Sequence, residues 1–236
     1  MIELIVNKLI ESRSEGGYWD FKQQWHSNNA DLVKDIICLA NNTTATMENG
    51  YLIFGIEDNT FEITGVPDIN RKNQEKVLGL ISELSWSNEE IPEICVHSVR
   101  INNVEIDVLE ISNKDITPYY LLKDYTQGPN GSGRIIVRAG VIYSRVGDRN
   151  TNTDRTATKD ATEFLWKKRF GLVGDDDFKI SKRLKNVDDW YIQEDTDTFY
   201  NRINNDIFLR KNPHYEFTQE IHSNSDETVT MVMDFP

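Results

Sequence analysis

The sequence predicts an α+β fold, a mixed β-sheet with helices packed on it, and three observations predict it. Apolar residues recur at helical spacing in some stretches, other stretches alternate or run continuously apolar over strand length, and hairpin signals join several of the strands. Strands and helices are interspersed without the regular βαβ repeat of a doubly wound sheet. At 236 residues, 38% hydrophobic and 28% charged, the chain has room for one sizeable domain with an appendage.

The opening "MIELIVNKLIES" carries Glu3 and Lys8 inside its apolar stretch and reads as an amphipathic helix rather than a signal peptide. "GGYWDFKQQW" reads as a strand opened by a glycine pair, with Trp19 and Phe21 on one side and Tyr18, Asp20 and Lys22 on the other. "SNNADLVKDIICLANN" is a helix that Ser27, Asn28 or Asn29 can cap, with Leu32, Val33, Ile36, Ile37 and Ala40 forming its apolar face. After the break at "NNTTATMENG", the run "YLIFGIED" has the pattern of a strand buried on both faces and ends in Glu57 and Asp58.

Helical spacing returns in "NQEKVLGLISELSW", and "EICVHSVRINNVEIDVLEIS" alternates as two strands across an Asn102-Asn103 turn. "GPNGSGRIIVRAGVIYSRVGD" gives a glycine-rich loop and a hairpin. "ATEFLWKKRFGL" gives a last helix, with Trp166 and Phe170 as core anchors and Lys167, Lys168 and Arg169 as its solvated face. Beyond Gly174 the pattern weakens, although "KNVDDWYIQE" and "TVTMVMDFP" can each hold a short strand. The expected division is a domain over 1–171 and an acidic C-terminal extension over 172–236.

Cys38 and Cys95 each sit in an apolar run, which suits two buried thiols in a reducing compartment and a cytoplasmic location. No run of about eighteen apolar residues is present, so no membrane span is expected. The net charge of −13 argues against long-range capture of a polyanion by the chain as a whole. Between Arg134 and Arg169, however, nine Lys and Arg face four Asp and Glu, whereas from Gly174 onward seven face fourteen. A nucleic-acid surface therefore belongs to the first two-thirds of the chain, and the acidic tail to solvent or a protein partner.

Two constellations can carry chemistry. Glu15, Asp20 and Asp58 are the candidate acids, with Lys22 on the face of Asp20. Three converging carboxylates would take a hard divalent cation and, without one, would hold at least one proton above the ordinary carboxylate range. The alternative is a set of solvated edge acids, with Lys22 simply salt-bridged to Asp20. The second constellation is basic: Arg134, Arg138, Arg145, Arg149 and Arg155, on a hairpin and the loop after it, can hold phosphates by paired hydrogen bonds. "GPNGSGR" lacks the Lys-Ser/Thr ending and the following helix of a phosphate loop, so ATP binding is unsupported. The four histidines show no metal-ligand spacing, His97 reads as a strand residue with a local partner, and Cys38 as a structural thiol.

The set "EGGYWDFK", "DLVKDIICLAN", "GYLIFGIED" followed by "ITGV", "PYYLLKDY" and "IYSRVGDRNT" resembles the Schlafen-type AlbA-like domain over roughly residues 1–170. That resemblance implies nucleic-acid binding and, by analogy with nuclease-active Schlafen proteins, metal-dependent cleavage of structured RNA such as tRNA. The acids it assigns are Glu15, Asp20 and Asp58, with Mg²⁺ or Mn²⁺ between them and Lys22 facing the phosphate. Larger Schlafen proteins clamp RNA between two such lobes, so a homodimer would supply the second. The chain departs from the motif in two places. Asp20 stands where glutamate is usual, and "ANNTTATMENG" replaces the shorter Ala-Asn-Thr-x-Gly-Gly link. The rival expectation is a non-catalytic DNA-binding regulator or scaffold with a protein partner on the acidic tail.

Overall fold

The computed structural model describes residues 2–44, 48–87, 90–126, 135–173, 190–192, 198–202, 207–212, 215–222 and 228–232. The chain forms two units, Met1–Val173 and Gly174–Pro236. The first contains α1 (Ile2–Glu11), β1 (Trp19–Lys22), α2 (Asn29–Ala40), β2 (Gly50–Phe54), α3 (Gln74–Ser82), β3 (Ile94–Ile101) and β4 (Val104–Ile111). It continues through β5 (Tyr125–Thr126), β6 (Ile135–Val137), β7 (Arg145–Val146), β8 (Arg149–Asn150) and α4 (Lys159–Arg169).

The main sheet has the order β1-β2-β4-β3. Strands β1 and β2 are parallel, with Asp20 opposite Leu52 and Lys22 opposite Phe54, and α2 supplies the crossover that a parallel pair requires. The other pairs are antiparallel. The β3–β4 hairpin closes at Asn102 and Asn103, both at positive φ, which Asn tolerates and a two-residue twisted turn demands. The expected α+β class is therefore what the chain adopts.

Each face of the sheet has its own core. Leu52, Phe54, Leu109 and Ile111 pack with Leu32, Val33, Ile36 and Ile37 of α2 on one face. Phe21, Tyr51, Ile53, Val99, Ile101 and Val108 pack with Val6 and Leu9 of α1 on the other. Strand β2 is buried at every position, the physical reason for its continuous apolar run. Of the three candidate caps for α2, Asn28 takes the role, its Oδ1 accepting from Ala30 N at 2.9 Å. Edge strand β3 is shielded by Gln74 of α3, whose side chain accepts from Val96 N at 2.7 Å and donates to Ile94 O at 3.1 Å.

Several expectations change on contact with the structure. Trp166 and Phe170 are not core anchors. They are 37% and 45% exposed and stack on each other, because α4 turns Ala161 and Leu165 inward instead. Lys168, expected on the solvated face, is buried and donates to Asn113 Oδ1. Cys38 is buried as expected, and burial pushes its thiol up to about 12. Cys95 is exposed, since it lies on the edge strand beyond the cover of α1. The second unit, taken by itself, is an antiparallel sheet of β9 (Trp190–Ile192), β10 (Thr198–Asn201), β11 (Ile207–Asn212), β12 (Tyr215–His222) and β13 (Thr228–Val232), in chain order.

A polar network pins the core beside α2. Asp107 is buried on β4 and accepts from Trp25 Nε1 at 2.9 Å, Arg71 Nε at 2.8 Å, Arg71 Nη2 at 2.7 Å and Ser98 Oγ at 2.7 Å. Trp25 itself stacks on Phe54 with ring centroids 3.9 Å apart. Removing the carboxylate strands the indole N–H of buried Trp25 and leaves Arg71 with Glu105 as its remaining anion. Asp107→Ala is thus expected to lower the unfolding free energy by about 3 kcal/mol, read from the shift of the urea midpoint at unchanged slope.

Candidate functional site

The site grows from the tight loop that precedes β1. Gly16 allows it, because a Cβ there would meet the Trp19 ring at 2.1 Å. Trp19 Nε1 closes the loop on Ser14 O at 2.8 Å. Glu15 is thereby laid back over β1, and its Oε1 accepts from Phe21 N at 3.2 Å, an amide on the free side of an edge strand. Asp20 is 3% exposed, on the α2 side of the sheet. Lys22 lies on the same face, as period two requires, with Nζ 2.7 Å from Asp20 Oδ2.

Asp58 joins through the turn that follows β2. Gly55, at φ +97, sits where a Cβ would come within 2.8 Å of the Gly65 backbone, so the chain can fold back closely only with glycine here. Gly55 N and Ile56 N both donate to Lys22 O, at 2.8 and 3.2 Å, which fixes the strand end beside Lys22. Glu57 is turned away and caps the turn, accepting from Thr60 N at 2.5 Å and Asn59 N at 2.9 Å. Those amides, Thr60 first, hold its carboxyl down at about 2. Asp58 instead lies by the backbone amide of Gln23, which lowers its carboxyl, and within the field of Lys22 and Asp20.

The electrostatics follow from this crowding. Burial first, then a hydrogen bond and repulsion from Asp20, push Glu15 up to about 7. Asp58 is also raised, by burial and by Asp20, with Lys22 opposing. Burial works against the Lys22 charge, but Asp20, Asp35 and Glu15 outweigh it and raise the ammonium above its usual value. The expectation of a carboxyl raised above the ordinary range is met at Glu15, with burial as the largest cause and Asp20 next.

One cation comes from an unexpected place. Arg145, expected to hold phosphate, is 1% exposed, and its guanidinium enters the site from β7. It donates to Gly16 O at 2.6 Å, Trp19 O at 2.9 Å, Asn150 Oδ1 at 3.0 Å and Glu15 Oε2 at 3.3 Å, with Asp20 Oδ1 at 3.6 Å. Each of its three nitrogens already donates inside the protein and the side chain is buried, so it organises the acids and is not open to a phosphate. Arg138, Arg149 and Arg155 are exposed; Arg138 lies in the turn after β6 and not in the strand. Arg134 lies outside the described residues.

Among the described residues no three His, Cys, Asp or Glu side chains are placed to hold a metal ion. The expected ligand set Glu15, Asp20 and Asp58 is gathered around Lys22, but it does not form a ligand cage in this arrangement. Both Asp20 oxygens face cationic side chains, and Glu15 is held by Phe21 N and Arg145. The protein's own ammonium and guanidinium balance the charge a divalent ion would otherwise balance.

Three residues that sequence reading passed over complete the site. Asp35 of α2 is buried, accepting from Asn150 Nδ2 at 2.9 Å and pairing with His26 Nε2 at 2.9 Å. Burial would raise its carboxyl, but His26 and Lys22 outweigh it and hold Asp35 low. The available signal was an acid set within the apolar stripe of a helix, between Leu32 and Leu39. Asn150 and His26 carried no signal of their own.

A family model described as Schlafen, AlbA_2 matches residues 15–154. Among solved structures, the chain is similar to the DIP2311 protein from Corynebacterium diphtheriae, at 18% identity and a TM-score of 0.42, covering 74% of this chain and 32% of that one. The curated proteins gave no match. No helix among the described residues is long and apolar enough to cross a membrane.

The raised Glu15 has a measurable sign. A carboxyl near 7 when folded and about 4.3 when unfolded favours the folded state at low pH, and that contribution is lost as pH rises from the unfolded value through about 7. Glu15 is half-buried and screened, so the effect is on the order of 1 kcal/mol. The stability lost between pH 5 and pH 8 is expected to shrink by that amount in Glu15→Gln, measured by urea unfolding at each pH.

Proposed function

The chain belongs to the Schlafen AlbA_2 family, and on that footing we propose that it binds nucleic acid, prefers structured RNA such as tRNA to DNA, and cuts it at the cluster of Glu15, Asp20, Lys22 and Asp58. The observation that carries this reading is the Lys22 ammonium held 2.7 Å from Asp20, beside Glu15 and Asp58, whose carboxyls are both raised above their ordinary values. An ammonium kept charged at a strand end can meet a phosphodiester and offset charge growing on its oxygens. Glu15 and Asp58 are the groups available to take or return the nucleophile's proton. Mg²⁺ or Mn²⁺ would reach Asp20 only after Lys22 Nζ had left it, so the reaction as proposed is routed through the side chains alone.

Arg138, Arg149 and Arg155, with Lys159, supply the exposed cations that would track the RNA backbone. Such groups read shape and phosphate spacing more than base identity. A second copy of the chain would provide the opposing wall of a clamp. A second reading, a non-catalytic nucleic-acid-binding module, is favoured by one specific observation: the acids are already neutralised internally by Lys22 and Arg145.

Cleavage separates the two. Bulk tRNA incubated with the purified chain, with Mn²⁺, with Mg²⁺ and with chelator, is expected to give products that fall at least about a hundredfold in Lys22→Ala and Asp20→Asn, judged on denaturing gels. Binding without cleavage under every condition would leave the module reading. Arg138→Glu with Arg155→Glu is expected to weaken binding and flatten the dependence of log affinity on log salt by about one unit for each phosphate no longer neutralised, measured by anisotropy of a labelled RNA. An unchanged salt slope would move the phosphate surface elsewhere.

A further inference from the structure

The sheet face that α1 covers at Val99, Ile101 and Val108 continues beyond the helix to Cys95, His97 and Glu110. Cys95 lies directly opposite Glu110 in the β3–β4 ladder, and His97, two residues on, stands on the same face. A directed chain of hydrogen bonds ends at the sulfur. Asn113 N donates to Asn49 Oδ1 at 2.9 Å, which forces the Asn49 amide to present its NH₂ to Glu110, where Nδ2 donates to Oε1 at 2.7 Å. The other Glu110 oxygen, Oε2, meets His97 Nε2 at 2.8 Å. A carboxylate only accepts, so Nε2 carries a ring hydrogen, and in the neutral ring Nδ1 keeps its lone pair, 4.0 Å from Cys95 Sγ.

A nucleophile, a base, and a third group orienting the base make up the arrangement of an activated thiol. We propose that Cys95 is a modification site, a thiol that His97 deprotonates for attack on small-molecule disulfides. The Cys95 sulfur attacks one sulfur of the disulfide as its proton passes to His97 Nδ1. A new S–S bond to Cys95 forms, the old S–S bond breaks, and the expelled thiolate takes the proton, so Cys95 is oxidised and the small disulfide reduced. A disulfide is the fitting class because the site is open: exchange needs only in-line access to sulfur, whereas acyl transfer needs donors aimed at an oxyanion. Cys38 is buried on α2 and cannot resolve the product, so the mixed disulfide persists until an external thiol removes it. This site is separate from the acid cluster and does not rest on the proposed nuclease reading.

The test uses the full chain and the chromogenic disulfide 5,5′-dithiobis(2-nitrobenzoate) near neutral pH. One thiol is expected to react rapidly and to map to Cys95 by peptide mass, while Cys38 stays unmodified until the chain is unfolded. The native rate at Cys95 is expected to exceed that of the same residue in the urea-unfolded chain by at least about tenfold. His97→Gln should remove that advantage and Glu110→Gln should reduce it, with far-ultraviolet circular dichroism confirming that each variant is folded. Oxidised glutathione should give the same mixed disulfide more slowly. A native rate no faster than the unfolded one, or a folded His97→Gln chain that reacts as fast as the native protein, overturns the proposal.

Discussion

The candidate site depends on one buried guanidinium. A charge taken out of water is tolerated only when its hydrogen-bonding groups find partners, and Arg145 finds them in parts of the chain far apart in sequence. Two are backbone carbonyls of the loop before β1 and of its first residue, one is a carboxylate of that loop, and one is the amide of Asn150. Asn150 then reaches Asp35 on α2. The loop that carries Glu15, the crossover helix and the β7–β8 hairpin are thus held together through one side chain and its neighbour. Without that positive charge, the repulsion between Glu15 and Asp20 across the start of β1 would be opposed only by Lys22, and the loop would keep its place over the strand through Trp19 Nε1 on Ser14 O and Phe21 N on Glu15.

The same charge balance sets what the site can do. Lys22 is shared among Asp20, Glu15 and Asp35, and its ammonium is charged because acids surround it. A phosphodiester arriving at the strand end competes with Asp20 for that ammonium, whereas a divalent cation competes with the ammonium for the carboxylates. Under the proposed nuclease reading, substrate and metal would therefore act on opposite partners of the one ion pair. The pair is partly buried, so its attraction is stronger than that of a solvated salt bridge, and only a highly charged ligand can exchange with it.

How much of this could be read in the sequence varied with the range of the interaction. Strand and helix identities were legible because they rest on local periodicity: β2 as a doubly buried run, α2 through its apolar stripe, the β3–β4 turn through Asn102 and Asn103. The shared face of Asp20 and Lys22 followed from the two-residue repeat of a strand. What was not legible was which way each arginine turned. Arg145 and Arg149 lie four apart in a short hairpin and look alike as letters, yet one is buried and the other solvated. That choice is made by the carbonyls of Gly16 and Trp19, more than a hundred residues away. Cys95 was misjudged for a related reason: its neighbours are apolar because α1 and the opposite core cover most of β3, but the cover ends before residue 95. Trp166 and Lys168 exchanged their expected roles because α4 buries the side that carries Ala161, Leu165 and Lys168.

An acidic protein that binds a polyanion must do so at short range. At physiological salt, charges more than about 8 Å apart are largely screened, so a net charge of −13 spread over the chain weighs less on an approaching phosphate than the few residues it touches. Much of that excess lies after Gly174, and within the first unit two buried acids are neutralised by internal cations, Asp20 by Lys22 and Asp107 by Arg71. Exposed arginines on the turn after β6, on the β7–β8 hairpin and beside α4 are not tied up in this way to the same degree. The residual field therefore discourages indiscriminate adsorption to nucleic acid, while local arginine–phosphate pairing remains available to a ligand whose shape brings its backbone to those three places together. The proposed preference for a folded RNA over an extended duplex would follow from that combination.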